Sequence, residues 1–268
     1  MNERAQHEVE LVRFKRRRTP ETTKFGPFRI IAAIVLPLWQ FAAKYRFAPN
    51  SKLPAQGPFV LAPNHLSEID PIAMAVAVFK LGRLPRFMAK ASLFKVPFLK
   101  WILKITGQIP VYREANSGDA GAAGARHSAM QAASHLIATS GGVIVYPEGT
   151  LTRDPDMWPM RGKSGAARLA LEGNIPLIPA AHWGVQEIMP RYGKKLNLFG
   201  RKTVRVAIGE PLDLSEYQGR PINNAVIGEV TDKLMAEITA LLETLRGEEA
   251  PTKRWDPREH EQSETGRF

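Results

Sequence analysis

The sequence predicts an α/β fold: a largely parallel mixed sheet flanked by helices, with an N-terminal amphipathic membrane-interface helix. Three observations predict it. Residues 58–62, 143–146 and 175–181 are short apolar runs of the length of buried strands. Longer segments, 72–79, 122–139, 164–172 and 222–246, read as helices and alternate with those runs. Strands alternating with helices favour a sheet with parallel neighbours. The chain has 268 residues, 44% of them hydrophobic and 24% charged, ample for a core.

Residues 1–27 are polar and contain Arg13-Phe14-Lys15-Arg16-Arg17-Arg18. They read as a basic flexible arm, solvated or held at an anionic membrane, where each basic residue is worth about 1 kcal/mol. Residues 28–47 read as an apolar helix kinked at Pro37, with basic residues at both ends and Trp39 and Tyr45 towards its C-terminal end. Such aromatic residues suit a membrane–water boundary, and the expectation is a helix lying in the interface. A helix packed on the main domain is the competing reading. The uncharged run 30–43 would span about 21 Å as a helix, short of a hydrocarbon core of about 30 Å.

Residues 48–246 read as one α/β domain. Strand 58–62 leads through a loop to helix 72–79, and 84–90 is a second strand. Residues 92–105 interleave Lys95, Lys100 and Lys104 with Phe94, Phe98, Trp101 and Ile105, the pattern of a membrane-surface helix. Strand 108–113 ends in Arg113, and a small-residue loop and helix 122–139 follow. Gly141-Gly142 stops that helix ahead of strand 143–146, which Pro147-Glu148-Gly149-Thr150 breaks. Helix 164–172, strands 175–181 and 203–208, and helix 222–246 complete the domain. Residues 247–268 are charged and read as a disordered polar tail.

Composition excludes several chemistries. There is no cysteine, hence no disulfide, thiol catalysis or Cys-ligated metal, which fits a reducing compartment. The six histidines do not fall at metal-ligand spacing, so no metal is expected. Gly162-Lys163-Ser164 looks like the end of a P-loop, but Met157 stands where its first glycine belongs. No Gly-x-Ser-x-Gly elbow is present. A formal net charge of +11 calls for an anionic partner: a bilayer, a phosphorylated substrate or nucleic acid. Nucleic acid rests on charge alone and is not expected.

His65 and Asp70 stand on the loop between strand 58–62 and the following helix. Asp70 before Pro71 resembles a helix N-cap. A carboxylate turned back onto an imidazole also fixes its tautomer and leaves the second nitrogen as a base. Three further blocks follow: Gly107 to Arg113, Tyr146-Pro147-Glu148-Gly149-Thr150, and Ile175-Pro176-Leu177-Ile178-Pro179-Ala180. With Asn64-His65-x-x-x-x-Asp70 they resemble, in order and rough spacing, the four motif blocks of the glycerolipid acyltransferase family. Its best-known members are 1-acylglycerol-3-phosphate acyltransferases. The resemblance covers roughly residues 48–210.

The resemblance implies that His65 and Asp70 are the catalytic dyad, acting on an acceptor hydroxyl that attacks an acyl thioester directly. Loop N–H groups near the helix start would stabilise the oxyanion. It implies substrate-binding roles for Asn64, Arg113, Glu148, Gly149 and Thr150. Family members commonly carry an arginine directly after the threonine; here that position is Leu151, and Arg153 and Lys163 are candidates for the missing charge. The implied co-substrate is acyl-CoA or an acyl carrier protein thioester, with no cofactor. The implied acceptor is a lysophospholipid, 1-acylglycerol 3-phosphate in the first instance, and the site of action the cytoplasmic membrane face. Another polar-lipid acceptor, or a non-catalytic lipid-binding module on the same fold, are the alternatives.

Overall fold

The computed structural model describes residues 10–24, 26–90, 95, 100–101, 103, 106–111 and 119–263. Five strands form the main sheet: β1 (Ala43–Phe47), β2 (Phe59–Pro63), β5 (Gly142–Ile144), β6 (Leu177–Trp183) and β7 (Lys202–Ile208). Their order is β1-β7-β6-β2-β5. All neighbours are parallel except β6 and β7. A second parallel pair, β3 (Met88–Lys90) and β4 (Ile109–Val111), adjoins β5 through a bridge between Phe87 and Ile144. The expected largely parallel mixed sheet is therefore present.

β2 shows why. All five of its residues are buried, as required of a strand with helices on both faces. Its side chains alternate between two cores. Phe59 and Leu61 pack with Met74, Ala77 and Val206 under α3 (Asp70–Lys80). Val60 and Ala62 pack with Leu136, Leu169, Leu234 and Ile238. Those last four come from α4 (Asp119–Thr139), α5 (Gly165–Gly173) and α6 (Asn224–Arg246). Each such buried aliphatic side chain contributes roughly 1.5–3 kcal/mol. Asn223 caps α6 by accepting from Val226 N, and Gly247, at φ 70°, ends it.

The N-terminal region departs from expectation. After the short α1 (Pro20–Lys24), α2 spans Gly26–Ala42, and residues 43–47 are strand rather than helix. The reason is a change of period: Ala43, Tyr45 and Phe47 point inwards while Lys44 is exposed and Arg46 half-buried. Trp39 and Tyr45 are buried, not at a boundary. Trp39 Nε1 donates to the Tyr45 hydroxyl at 2.7 Å, which donates to Ala73 O at 2.9 Å. α2 packs one face, Phe28, Ala32 and Trp39, on the domain. Its other face exposes Ile30, Ile34, Leu38 and Phe41, each by 61–72%.

Residues 10–19 are tied down. Val12 exchanges both backbone hydrogen bonds with Phe47, Arg17 N donates to Lys80 O, and Thr19 Oγ1 donates to Gly82 O. The segment thus covers part of the open edge of β1. The expected membrane-surface helix at 92–105 lies mostly outside the described residues. Within the tail, residues 257–260 form a 3₁₀ turn, and Trp255 stacks on His260.

Candidate active site

The C-terminal ends of β2 and β5 open onto a cavity of about 280 Å³ walled by His65, Phe87, Met88, Tyr146, Gly149 and Lys163, among others. Ligands gather at such strand ends in α/β sheets. His65 stands two residues past the end of β2 and keeps 15% of its side chain exposed, while Asp70 is fully buried. His65 Nδ1 lies 2.9 Å from Asp70 Oδ2. A carboxylate acceptor there assigns the proton to Nδ1 and leaves Nε2 to the substrate.

Asp70 is not the N-cap. Ile69 holds that position without a side-chain bond, and Pro71 fills the first turn. The Asp70 carboxylate instead folds back over its own loop. Oδ2 accepts from Leu66 N at 2.5 Å and Ser67 N at 2.8 Å. Two of the loop N–H groups near the helix start, where oxyanion donors were expected, are thus engaged by Asp70.

Glu148 is buried and joins two loops. Oε1 accepts from His65 N at 2.9 Å and Oε2 from Met160 N at 3.0 Å. Burial pushes its carboxyl up to about 8, against the pull of those N–H groups and of the Thr152 side chain. Thr152 N donates to His65 O at 2.8 Å, closing the loop from the other side. Tyr146 stacks on the His65 ring, centroids 4.1 Å apart and planes at 23°. Together these contacts hold the imidazole from its backbone, its Nδ1 and one face.

The remaining candidates divide. Lys163 reaches the cavity with His65, and its N–H donates to Pro147 O at 2.7 Å. Gly149 makes room for it: at φ 71° it takes a left-handed turn, and a Cβ there would sit 3.0 Å from Lys163 Cδ. Thr150 is half-buried one residue beyond, outside the cavity wall. Leu151 and Arg153 are buried and also outside that wall. Asn64 is fully buried: Nδ2 donates to His182 O at 3.1 Å and Oδ1 accepts from His182 N at 2.9 Å. It therefore ties the dyad loop to β6. Arg113 lies outside the described residues.

Two residues escaped the sequence reading. His182 is fully buried, with Nε2 3.1 Å from Asn64 O and 3.5 Å from Asp70 Oδ2. Burial lowers its pKa, opposed by the Asp70 charge, so it is a neutral donor. Arg191 Nη1 donates to Thr152 O and Asp154 O, both at 2.7 Å, and so pins the loop after Gly149. Neither stands in a contiguous motif. His182 was legible only as a polar residue inside an apolar strand run.

An imidazole held by a buried carboxylate, open to a cavity that also holds a lysine, is an arrangement that can serve as a general base on an α/β sheet. A family profile described as "Acyltransferase" matches residues 44–183, just over half of the chain. The 1-acyl-sn-glycerol-3-phosphate acyltransferase of Bacillus subtilis is 31% identical over 198 residues, covering 73% of this chain and 88% of that protein. The chloroplastic 1-acyl-sn-glycerol-3-phosphate acyltransferase BAT2 of Brassica napus is 24% identical over 184 residues, 66% of this chain and 49% of that one. The chain thus spans about half of the plant relative. The crystal structure of the 1-acyl-sn-glycerophosphate acyltransferase PlsC from Thermotoga maritima shares the fold at a TM-score of 0.56 and 16% identity, covering 86% of this chain and 92% of that one. The chain belongs to the acyltransferase family and is an acyltransferase.

Proposed function

We propose that the protein transfers a fatty acyl group from a thioester, acyl-CoA or acyl carrier protein, to the free hydroxyl of 1-acylglycerol 3-phosphate, giving phosphatidic acid. One observation carries the reading: the 2.9 Å contact between His65 Nδ1 and Asp70 Oδ2, beside a cavity that also holds Lys163. Nε2 of His65 takes the hydroxyl proton as the oxygen attacks the thioester carbonyl. The C–O bond forms, the tetrahedral oxyanion collapses, and the C–S bond breaks. The leaving thiolate takes the proton back from the imidazolium. Every proton is accounted for without a cofactor. Asp70 stabilises the imidazolium through Nδ1, and the base contributes roughly 10²–10⁴-fold.

The acceptor phosphate is assigned to Lys163 and the start of α5. Gly165 and Ala166 line the cavity, and Ser164 makes no side-chain cap bond to that first turn. A helix N-terminus beside a lysine is a ready anion site. Lys163 thus takes over the charge absent at Leu151.

The exposed stripe of α2 is read as lying in the bilayer interface, on the cytoplasmic face, as a peripheral or monotopic contact. Among the described residues no helix is long and apolar enough to cross a membrane. The test is a mixed-micelle assay with oleoyl-CoA and 1-acylglycerol 3-phosphate, following thiol release and lipid product. Diacyl product from the native protein and none from His65→Ala is expected. Thiol release without diacyl product would reject the acceptor.

A further inference from the structure

A second cavity, about 220 Å³, opens at the edge of β1 and shares no wall with the one at His65. Five cationic side chains line it: Arg13, Lys44, Arg46, Lys80 and Arg201. None of its lining residues is acidic. Several buried or half-buried arginines elsewhere are engaged. Arg83 and Arg86 meet Glu21, Arg205 donates to Leu245 O, and Arg191 holds two carbonyls. Around this cavity, among the described residues, none of the five side chains has a hydrogen bond or an ion pair, and Nη1 of Arg46 is buried with no partner. Lys80 feels the crowding: burial lowers its pKa, and the charges of Arg201 and Arg16 lower it further. Like charges gathered without a counter-charge repel one another, and a bound anion relieves that repulsion.

We propose that this cavity binds a phosphate group. Three guanidinium forks and two ammonium groups around a small space match the oxygens of a phosphate monoester or diester. The site is separate from acyl transfer: β1 lies three strands from β2, about 14 Å at ordinary strand spacing. Its surroundings indicate the source. Gln40, near the end of α2, and Ala43, the first residue of β1, form part of the wall, and Leu38 and Phe41, close by in α2, expose their side chains. A phospholipid headgroup would place its phosphate in the cavity and its chains along that stripe. The anion site stands on its own residues; only its lipid source rests on the proposed membrane contact of α2.

The test uses the full chain in three forms: native, Arg46→Gln/Arg201→Gln, and a control, Lys194→Gln/Lys195→Gln, that removes the same charge elsewhere. Inorganic phosphate is the first probe, read by hydrogen–deuterium exchange. Protection is expected in peptides covering residues 10–18 and 40–47 of the native and control proteins and not in the Arg46/Arg201 variant. No protection in the native protein, or equal protection in all three, overturns the site. Phosphatidylcholine vesicles with and without phosphatidate are the second probe. Phosphatidate-dependent affinity about tenfold weaker in the Arg46/Arg201 variant than in the control establishes the headgroup as source. Phosphate protection lost with vesicle affinity unchanged retains the site and makes its occupant a soluble phosphate. Native-like turnover on micellar acceptor shows that the variant is folded.

Discussion

Nε2 of His182 lies 3.5 Å from Oδ2 of Asp70, the same oxygen that accepts from His65 Nδ1 at 2.9 Å. One carboxylate is thus flanked by two imidazoles with different environments. His65 opens to the cavity; His182 is fully buried and held against Asn64 O. The first can exchange a proton with substrate, and the second serves the arrangement of the loop.

That difference sets a pH dependence of stability. The His182 pKa is lowered on folding, so its stabilising contribution is present above the unfolded value, near 6.5, and is lost as the pH falls below it. Between pH 7 and 5 the unfolded chain takes up a proton that folded His182 refuses. The native protein is expected to lose stability over that interval in urea denaturation, and His182→Gln to show a shallower loss. Parallel slopes for the two proteins would remove His182 from the account.

His65→Gln and Asp70→Asn address the dyad itself. Each is expected to lower kcat by about 10²–10⁴. They separate in stability. Gln at 65 changes a side chain partly open to the cavity, whereas Asn at 70 weakens the acceptor of Leu66 N and Ser67 N. Thermal melts should show Asp70→Asn as the less stable of the two. A His65→Gln protein with near-native turnover contradicts the base role.

Much of this site was readable in the residue order because it is contiguous. His65, Asp70 and the Glu148–Gly149 turn are local features of strand ends, and strand ends follow from apolar runs. The roles of individual members were less readable. The resemblance implied substrate-binding roles for Asn64 and Glu148, yet their polar atoms hold His182 and the N–H groups of His65 and Met160. Contacts across 118 residues, as between Asn64 and His182, leave no local trace. β1 was hidden for another reason: no glycine, proline or other turn residue separates the apolar helix from the alternation of Tyr45 and Phe47.

Glu148→Ala tests the joint. It leaves His65 N and Met160 N without their acceptor, at about 1–3 kcal/mol each. A loss of roughly 2–6 kcal/mol in chemical denaturation is expected, with a fall in kcat and little change in the acceptor KM. A rise in acceptor KM alone, at native stability, would return Glu148 to direct substrate binding.

Lys163→Ala tests the assignment of the acceptor phosphate. A charge-assisted hydrogen bond is worth about 1.5–3 kcal/mol, so the acceptor KM should rise about 10- to 100-fold while the thioester KM stays close to native. An equal rise for both substrates would mean that Lys163 shapes the cavity without choosing the acceptor.

The exposed face of α2 gives the last test. Leu38 and Phe41 are 72% and 66% exposed, while Trp39 between them is buried and tied to Tyr45. Glutamate at 38 and 41 therefore leaves the packed face of the helix intact. In the interface, each of these side chains would bury apolar surface worth roughly 1.5–3 kcal/mol, and a carboxylate would also face anionic lipid. Leu38→Glu/Phe41→Glu is expected to bind phosphatidate-containing vesicles at least tenfold more weakly at an unchanged melting temperature. Turnover on short-chain acceptor in solution should be retained. Unchanged vesicle affinity would show that Leu38 and Phe41 do not meet the bilayer.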